Sequence, residues 1–263
     1  MPGILFLIPN TLGENAPDEV IPQKVIETAK RLRHFIVEDV RTVRRYLRRI
    51  DRTFPIDDSQ FFELNQHTDR SKIEPYLKPL LEGNDMGIIS EAGCPAVADP
   101  GADIVALAHR KGIRVVPLVG PSSILLAQMA SGFNGQSFAF VGYLPIEAAE
   151  RQKRLRKLEH RAKEENQTQL FIETPYRNMK LFDELTATLK GDTKLCIACD
   201  ITLESEYIET RTIGEWKQKK AAGPEQASYD FRNILRKHKS RPHDMDGIVI
   251  HYWGESLTTP PDG

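Results

Sequence analysis

Two hydrophobic patterns alternate along this chain: short apolar runs bounded by Gly, Pro, Asn or Asp, and longer stretches where apolar residues return every three or four positions. The first reads as buried strand and the second as amphipathic helix. Strands are predicted at Gly3–Ile8, His34–Glu38, Phe61–Leu64, Met86–Ser90 and Ile113–Pro117. Helices are predicted over Pro22–Arg33, Val40–Ile50 and about Asp69–Glu82, with another ending near Gly112. Alternation of this kind predicts a first α/β domain, residues 1–118, built on a mostly parallel five-stranded sheet. The pattern then restarts. Strands are predicted at Ser137–Tyr143, Gln169–Glu173, Lys194–Cys199, Ser205–Thr212 and Gly247–Trp253. Helices fall at Ile124–Ala130, Pro145–Ala162, from beyond Asn178 to Leu189, near Ile213–Ala221 and over Glu225–Lys237. Strands clustered late predict a mixed, partly antiparallel sheet in a second α/β domain, residues 119–263, with Thr258–Gly263 as a loose tail. The fold class is therefore α/β, with two α/β/α domains.

The most informative stretch runs from Met86 to Gly132, where a strand, a glycine-proline loop and a helix occur twice. Asp99 stands where an N-cap belongs, with Pro100 at the first helical position. The loop Val119–Ser123 has serines able to cap the helix that follows. Both loops leave the carboxyl ends of parallel strands, where open α/β sheets bind ligands. Pro9–Glu14, after the first strand, has the same position in the pattern, and so does His67 after the third. For His67 a substrate role and a structural one both stand.

Composition narrows the class. The chain has 263 residues and a net charge of −1, which argues against a protein that is basic throughout. Basic residues are nonetheless concentrated locally. Arg41, Arg45, Arg48 and Arg52 share one face of the helix over Val40–Ile50, and Arg154 and Lys157 belong to a second basic helix. Each face reads either as solvated charge or as a surface for RNA phosphates. Three cysteines, no signal-peptide pattern and no long apolar run predict a cytoplasmic protein with reduced thiols and no membrane partner. Cys196 and Cys199 have metal-ligand spacing but lie in an apolar strand without a second pair, so they read as core and no metal is expected.

Several ligand classes are excluded by inspection. No two glycines are two residues apart, no Gly-Lys pair exists, and neither HExxH nor GxSxG occurs. The crevice loops are rich in proline, small residues and backbone amides. That chemistry suits a neutral or zwitterionic ligand held by main-chain hydrogen bonds, such as adenosine joined to an amino acid.

Specific motifs then carry a resemblance. Ser90–Gly101, Val116–Ser123, Ala130–Gly132 and Gly142–Pro145 resemble the signature of the tetrapyrrole methylase superfamily. They are most similar to its branch of small-subunit ribosomal RNA cytidine 2′-O-methyltransferases, as are Glu38–Thr42, Leu64–His67 and Glu173–Arg177. Glu91 stands where that branch usually has aspartate, and Cys94 where it usually has threonine. The resemblance implies a homodimeric methyltransferase with S-adenosylmethionine in a cleft between its two domains. It also implies cofactor contacts from Pro9, Gly93, Cys94, Pro95, Val97, Ser122, Ser123, Ile124, Glu173 and Thr174. Ribosomal RNA or the small ribosomal subunit is the implied partner; Arg41, Arg45, Arg48, Arg154 and Lys157 on the basic helices, and His67 at its strand end, are then the candidate substrate contacts.

A ribose hydroxyl is a weak nucleophile, so a proton acceptor is expected near the strand ends. Glu91 is the first candidate because it opens the central loop; Glu38, His67 and Glu173 are the others. Two alternatives stay open at this point: a methylase of a tetrapyrrole-like small molecule, and a non-catalytic RNA-binding protein with the same fold.

Overall fold

A computed structural model describes residues 1–174, 177–221 and 248–253 of the chain. The predicted helix over Glu225–Lys237 and the predicted tail, Thr258–Gly263, lie outside the described residues, as do Pro175 and Tyr176. The chain divides into two compact units, the first covering Met1–Ser122 and the second beginning at Ser123.

The first unit holds β1 (Leu5–Leu7), α1 (Pro17–Val20), α2 (Gln23–Arg31), β2 (His34–Val37), α3 (Val40–Ile50) and β3 (Gln60–Glu63). After two 3-10 turns come α4 (Lys78–Leu81), β4 (Met86–Ile89), α5 (Gly101–Arg110) and β5 (Val115–Pro117). All five strands are parallel, in the order β3-β2-β4-β1-β5. Side chains of the inner strands β2, β4 and β1 alternate between two covered faces, which is why these strands read as continuous apolar runs. Phe6, Ile8, Phe35, Val37 and Ile89 pack with Val25, Ile26, Val43 and Leu47 of α2 and α3. Leu5, Ile36, Met86 and Ile88 pack on the other face with Leu80, Ile104 and Leu107.

Strand order also locates the crevice. Connections leaving β1 and β2 run toward the β3 edge, whereas those leaving β3 and β4 run toward the β5 edge. Adjacent strands β2 and β4 therefore send their chains in opposite directions, and the sheet opens at their carboxyl ends.

Two sequence expectations need correction here. The helix predicted over Asp69–Glu82 is instead a 3-10 turn at Arg70–Lys72, a second at Glu74–Leu77, and the single turn α4. Pro75 and Pro79 each lack an N–H and are tolerated only in a first turn, so the segment breaks into successive first turns. The predicted cap at Asp99 is displaced by one residue: Pro100 occupies the N-cap of α5. The Asp99 carboxylate still reaches the helix start, accepting from the Gly101 N–H at 2.6 Å and from the Ala96 N–H at 2.8 Å.

The second unit contains α6 (Ser123–Ser131), β6 (Phe138–Tyr143), α7 (Ala148–Glu164), β7 (Thr168–Glu173) and α8 (Asn178–Thr188). It continues with β8 (Lys194–Cys199), β9 (Tyr207–Thr212), α9 (Ile213–Ala221) and β10 (Ile248–Trp253). Its sheet runs β6-β7-β10-β8-β9. Among the described residues only β6 and β7 pair in parallel in this sheet; β10 is antiparallel to both neighbours and β9 to β8. Leu155, Leu158 and Ala162 of α7 and Leu181, Phe182 and Leu185 of α8 cover one face with Trp216, whose indole donates to the Leu195 carbonyl at 3.0 Å. Cys196 and Cys199 are both buried in β8, and burial pushes the Cys196 thiol up to about 11.

Candidate functional site

The carboxyl ends of β4, β1 and β5, three neighbours in the first sheet, each open into a loop, and the three loops are tied pairwise. Asn10, 3% exposed, joins the first to the second. Its N–H donates to the Gly93 carbonyl at 2.9 Å, and its amide nitrogen donates to the carbonyls of Ser90 at 3.2 Å and Glu91 at 2.8 Å. The Cys94 thiol joins the second loop to the third, donating to the Pro121 carbonyl at 3.3 Å. Gly120 joins the third to the first by lying directly against Pro9. The Tyr46 hydroxyl, from α3, donates to the Pro9 carbonyl at 2.8 Å and so fixes that helix to the same assembly.

The loop after β4 is conformationally costly. Ala96 and Ala98 adopt φ of 67° and 61°, and Gly93 adopts 66°. Left-handed conformations are disfavoured for alanine, and clusters of them mark segments held in place by their surroundings. Here the Asp99 carboxylate supplies the hold at the Ala96 N–H. Val97, between the two alanines, is 46% exposed, while Pro95 is buried.

A carboxylate group collects where the sheet opens. Glu38 follows β2, Glu91 and Asp99 follow β4, and the Glu91 N–H donates to Glu38 at 3.4 Å. Burial, then the negative charge of Glu91, pushes the Glu38 carboxyl up to about 7. Burial also raises Asp99, against the two backbone N–H groups that favour its charged form.

Beside these loops is a cavity of about 300 Å³. Helix α3 contributes Thr42, Arg45, Tyr46 and Arg49, and the loops contribute residues 10–14 together with Glu91 and Ala92. Residues 42, 45, 46 and 49 are spaced to share one helix face. The face predicted from spacing, Arg41, Arg45, Arg48 and Arg52, is divided differently. Arg45 faces the cavity with Arg49, whereas Arg48 donates to the Arg52 carbonyl at 2.6 Å and Arg44 pairs with Asp57. Arg41 is exposed. His67 is exposed in a turn closed by its own N–H donating to Asn65 at 2.9 Å.

In the second unit, Glu173 ends β7 and is buried. Its carboxylate pairs with Arg177 at 2.6 Å and accepts from the Thr174 N–H at 2.7 Å. Helix α7 separates its basic residues by burial. Arg151 is 4% exposed and forms a two-pronged pair with Glu184, 2.6 Å from Nη2 to Oε1. Lys157 is exposed and Arg154 half-buried. Ser123 and Ile124 are half-buried in the first turn of α6, one residue after the half-buried Ser122 that closes the first unit.

The family model of the tetrapyrrole (corrin/porphyrin) methylases matches residues 19–217. The chain belongs to this family. The methylase is 31% identical to the Bacillus subtilis (strain 168) protein named ribosomal RNA small subunit methyltransferase I, over 97% of this chain and 81% of that one. To the Escherichia coli O157:H7 protein of the same name it is 28% identical, over 94% of this chain and 82% of the relative. Its fold is that of the solved methyltransferase CobJ, with a TM-score of 0.58 at 15% identity, covering 100% of this chain and 98% of the other. A cobalt precorrin-4 methyltransferase, CbiF, aligns with a TM-score of 0.52 at 15% identity, over 95% and 94% of the two chains.

Residue spacing alone does not single out Asn10, Tyr46 or Arg49 as parts of the candidate site. Tyr46 is concealed in an arginine run, and Arg49 lies one position off the face drawn through Arg45 and Arg48. An asparagine placed directly after the proline that ends a first strand is the available signal for Asn10.

Proposed function

We propose that this methylase transfers a methyl group from S-adenosylmethionine to the 2′-oxygen of a cytidine ribose in small-subunit ribosomal RNA. The observation that carries the reading is the knot of three loops around Asn10, Gly93 and Gly120, set beside a polar cavity bearing Arg45 and Arg49. The bound cofactor supplies an electrophilic methyl group on a sulfonium. Pro9, Gly93, Cys94, Pro95, Val97 and Ser122 are assigned to holding it; the strained backbone at 96 and 98 supports this, because such a loop is already ordered before ligand arrives. Ser123, Ile124, Glu173 and Thr174 are assigned to the same ligand by resemblance, with Glu173 acting through the Thr174 amide it already holds.

Transfer would form a bond from the ribose oxygen to the methyl carbon as that carbon's bond to the sulfonium sulfur broke, the electron pair returning to sulfur to leave a neutral thioether, and the hydroxyl proton must leave. Glu91, which lines the cavity, is assigned as its acceptor. Glu38 beside it, raised to about 7, is protonated for part of the time near neutral pH, which lessens the negative charge in the neighbourhood of Glu91. Most of the rate enhancement comes from alignment, because the displacement is in-line and needs little further chemistry.

Arg41, Arg45, Arg48, Arg154, Lys157 and His67 are assigned to RNA. A tetrapyrrole acceptor is less well matched, since a wide macrocycle calls for broad apolar walls and this cavity is lined mainly by polar groups. The protein is proposed to work in the cytoplasm as a homodimer. Support for pairing comes from exposed apolar side chains on the second unit: Leu125 and Met129 on α6, and Phe138 and Tyr143 on the edge strand β6.

Titration calorimetry with S-adenosylmethionine tests the cofactor, and mass mapping of ribosomal RNA from cells lacking the gene tests the acceptor. Binding together with one missing ribose methyl is expected. No heat at millimolar ligand, or an unchanged methyl map, overturns the proposal.

A further inference from the structure

We infer that the cavity between α3 and the loops after β1 and β4 is a subsite for a backbone phosphate of the acceptor strand, clamped by Arg45 and Arg49. The inference rests on the RNA reading above and narrows it to two residues, neither of which needs the exposed basic helix of the second unit.

Three observations carry it. Arg45 and Arg49 are one turn apart on α3, and both line the same cavity. Among the described residues neither has an acidic partner, while the neighbouring arginines are engaged: Arg44 pairs with Asp57, and Arg48 caps its own helix end at the Arg52 carbonyl. The helix that carries them is anchored, because Tyr46, 2% exposed, lies between them in sequence and bonds the Pro9 carbonyl. Two guanidinium groups held by a fixed helix are well matched to a phosphodiester, whose oxygens accept paired N–H donors.

Charge in the cavity is also divided. The helix wall brings the arginines, whereas the loop walls bring Glu14 and Glu91. An anion is repelled from the loops and drawn toward α3, so the phosphate has one place to sit. Volume agrees, since about 300 Å³ is near the lower end for ligand clefts and suits a single nucleotide unit. Hydroxyls of the attached ribose then face the walls that carry Glu91.

The test uses the full chain and a fluorescent single-stranded RNA in anisotropy titrations across salt concentrations. Both arginine side chains are exposed, so R45Q/R49Q should keep its thermal midpoint and its affinity for S-adenosylmethionine. The double variant is expected to bind RNA about tenfold or more weakly, with its log-log salt slope reduced by about 0.7 for each phosphate that is no longer neutralised. A second arm replaces RNA linkages with neutral methylphosphonates, which should remove most of the difference between wild type and variant. Equal RNA affinity and salt slope in wild type and R45Q/R49Q overturns the subsite while leaving the RNA reading intact. Wild-type protein that binds S-adenosylmethionine but no RNA overturns both.

Discussion

Gly120 lies so close to Pro9 that a Cβ at position 120 would sit 2.2 Å from the proline Cβ and 2.3 Å from its Cγ. A pyrrolidine ring cannot rotate away, so the close approach works only with glycine. Gly120→Ala should push the loop after β5 off the loop after β1, costing about 1–3 kcal/mol of stability as an overpacked site does. Chemical denaturation gives the stability, and calorimetry should show weaker S-adenosylmethionine binding. Unchanged values for both would mean that the two loops are not held together at this point.

Asn10 makes a different prediction because its role is polar. Its side chain satisfies the carbonyls of Ser90 and Glu91 and accepts from the Thr11 N–H at 2.8 Å. Asn10→Ala strands those buried groups, and should destabilise by about 1–3 kcal/mol. Hydrogen exchange at residues 90–93 should speed up in the variant. Protection equal to wild type there would show that the loop after β4 holds its shape unaided.

Glu38 predicts a pH dependence whose sign follows from proton counting. Burial first, and the Glu91 charge second, raise its carboxyl from an ordinary 4.5 to about 7. Between those values the folded protein keeps a proton that the unfolded chain has released, so this group lowers stability as pH rises through the window. Glu38→Gln should therefore be more stable than wild type above pH 7, on the order of 1–2 kcal/mol after allowing for solvent screening. The advantage should vanish below about pH 4.5, where both states are protonated. Thermal midpoints measured across pH would count against the shift if the difference were constant.

Arg151 and its neighbours on α7 separate structure from recognition. Arg151→Met leaves the half-buried Glu184 without its partner and removes a buried guanidinium from the Pro145 and Ile146 carbonyls, and should cost about 1–3 kcal/mol in a denaturation curve. Arg154→Gln with Lys157→Gln should change stability by less than about 0.5 kcal/mol, while weakening RNA binding. The reverse pattern would assign the phosphate role to the wrong side of the helix.

Much of the fold follows from local pattern. Lys194–Cys199 and Val40–Ile50 are bounded as their periodicity predicts, because breakers and caps act within a few residues. Asp39 caps α3 by accepting from the Thr42 N–H at 2.6 Å, as its place before the helix implies. The segment over Asp69–Glu82 is harder to read. Its apolar spacing is helical, but Pro75 and Pro79 override that spacing one turn at a time. The motif loops are also legible, since glycine, proline and small residues there report a backbone constraint that any chain must meet.

What the sequence determined by itself was most of the succession of strands and helices among the described residues, the family, and which loops leave strand ends, all of which depend on near neighbours along the chain. Strand order is a long-range matter, decided only when β4 inserts between β1 and β2 and brings Glu91 beside Glu38. That insertion creates the acidic group and its raised carboxyl, which no spacing of residues 53 apart could announce. Tertiary packing likewise divided one arginine run into a helix cap, a surface ion pair and two cavity-facing groups. Charge type is written locally, whereas the direction in which a charge faces depends on what the rest of the chain buries.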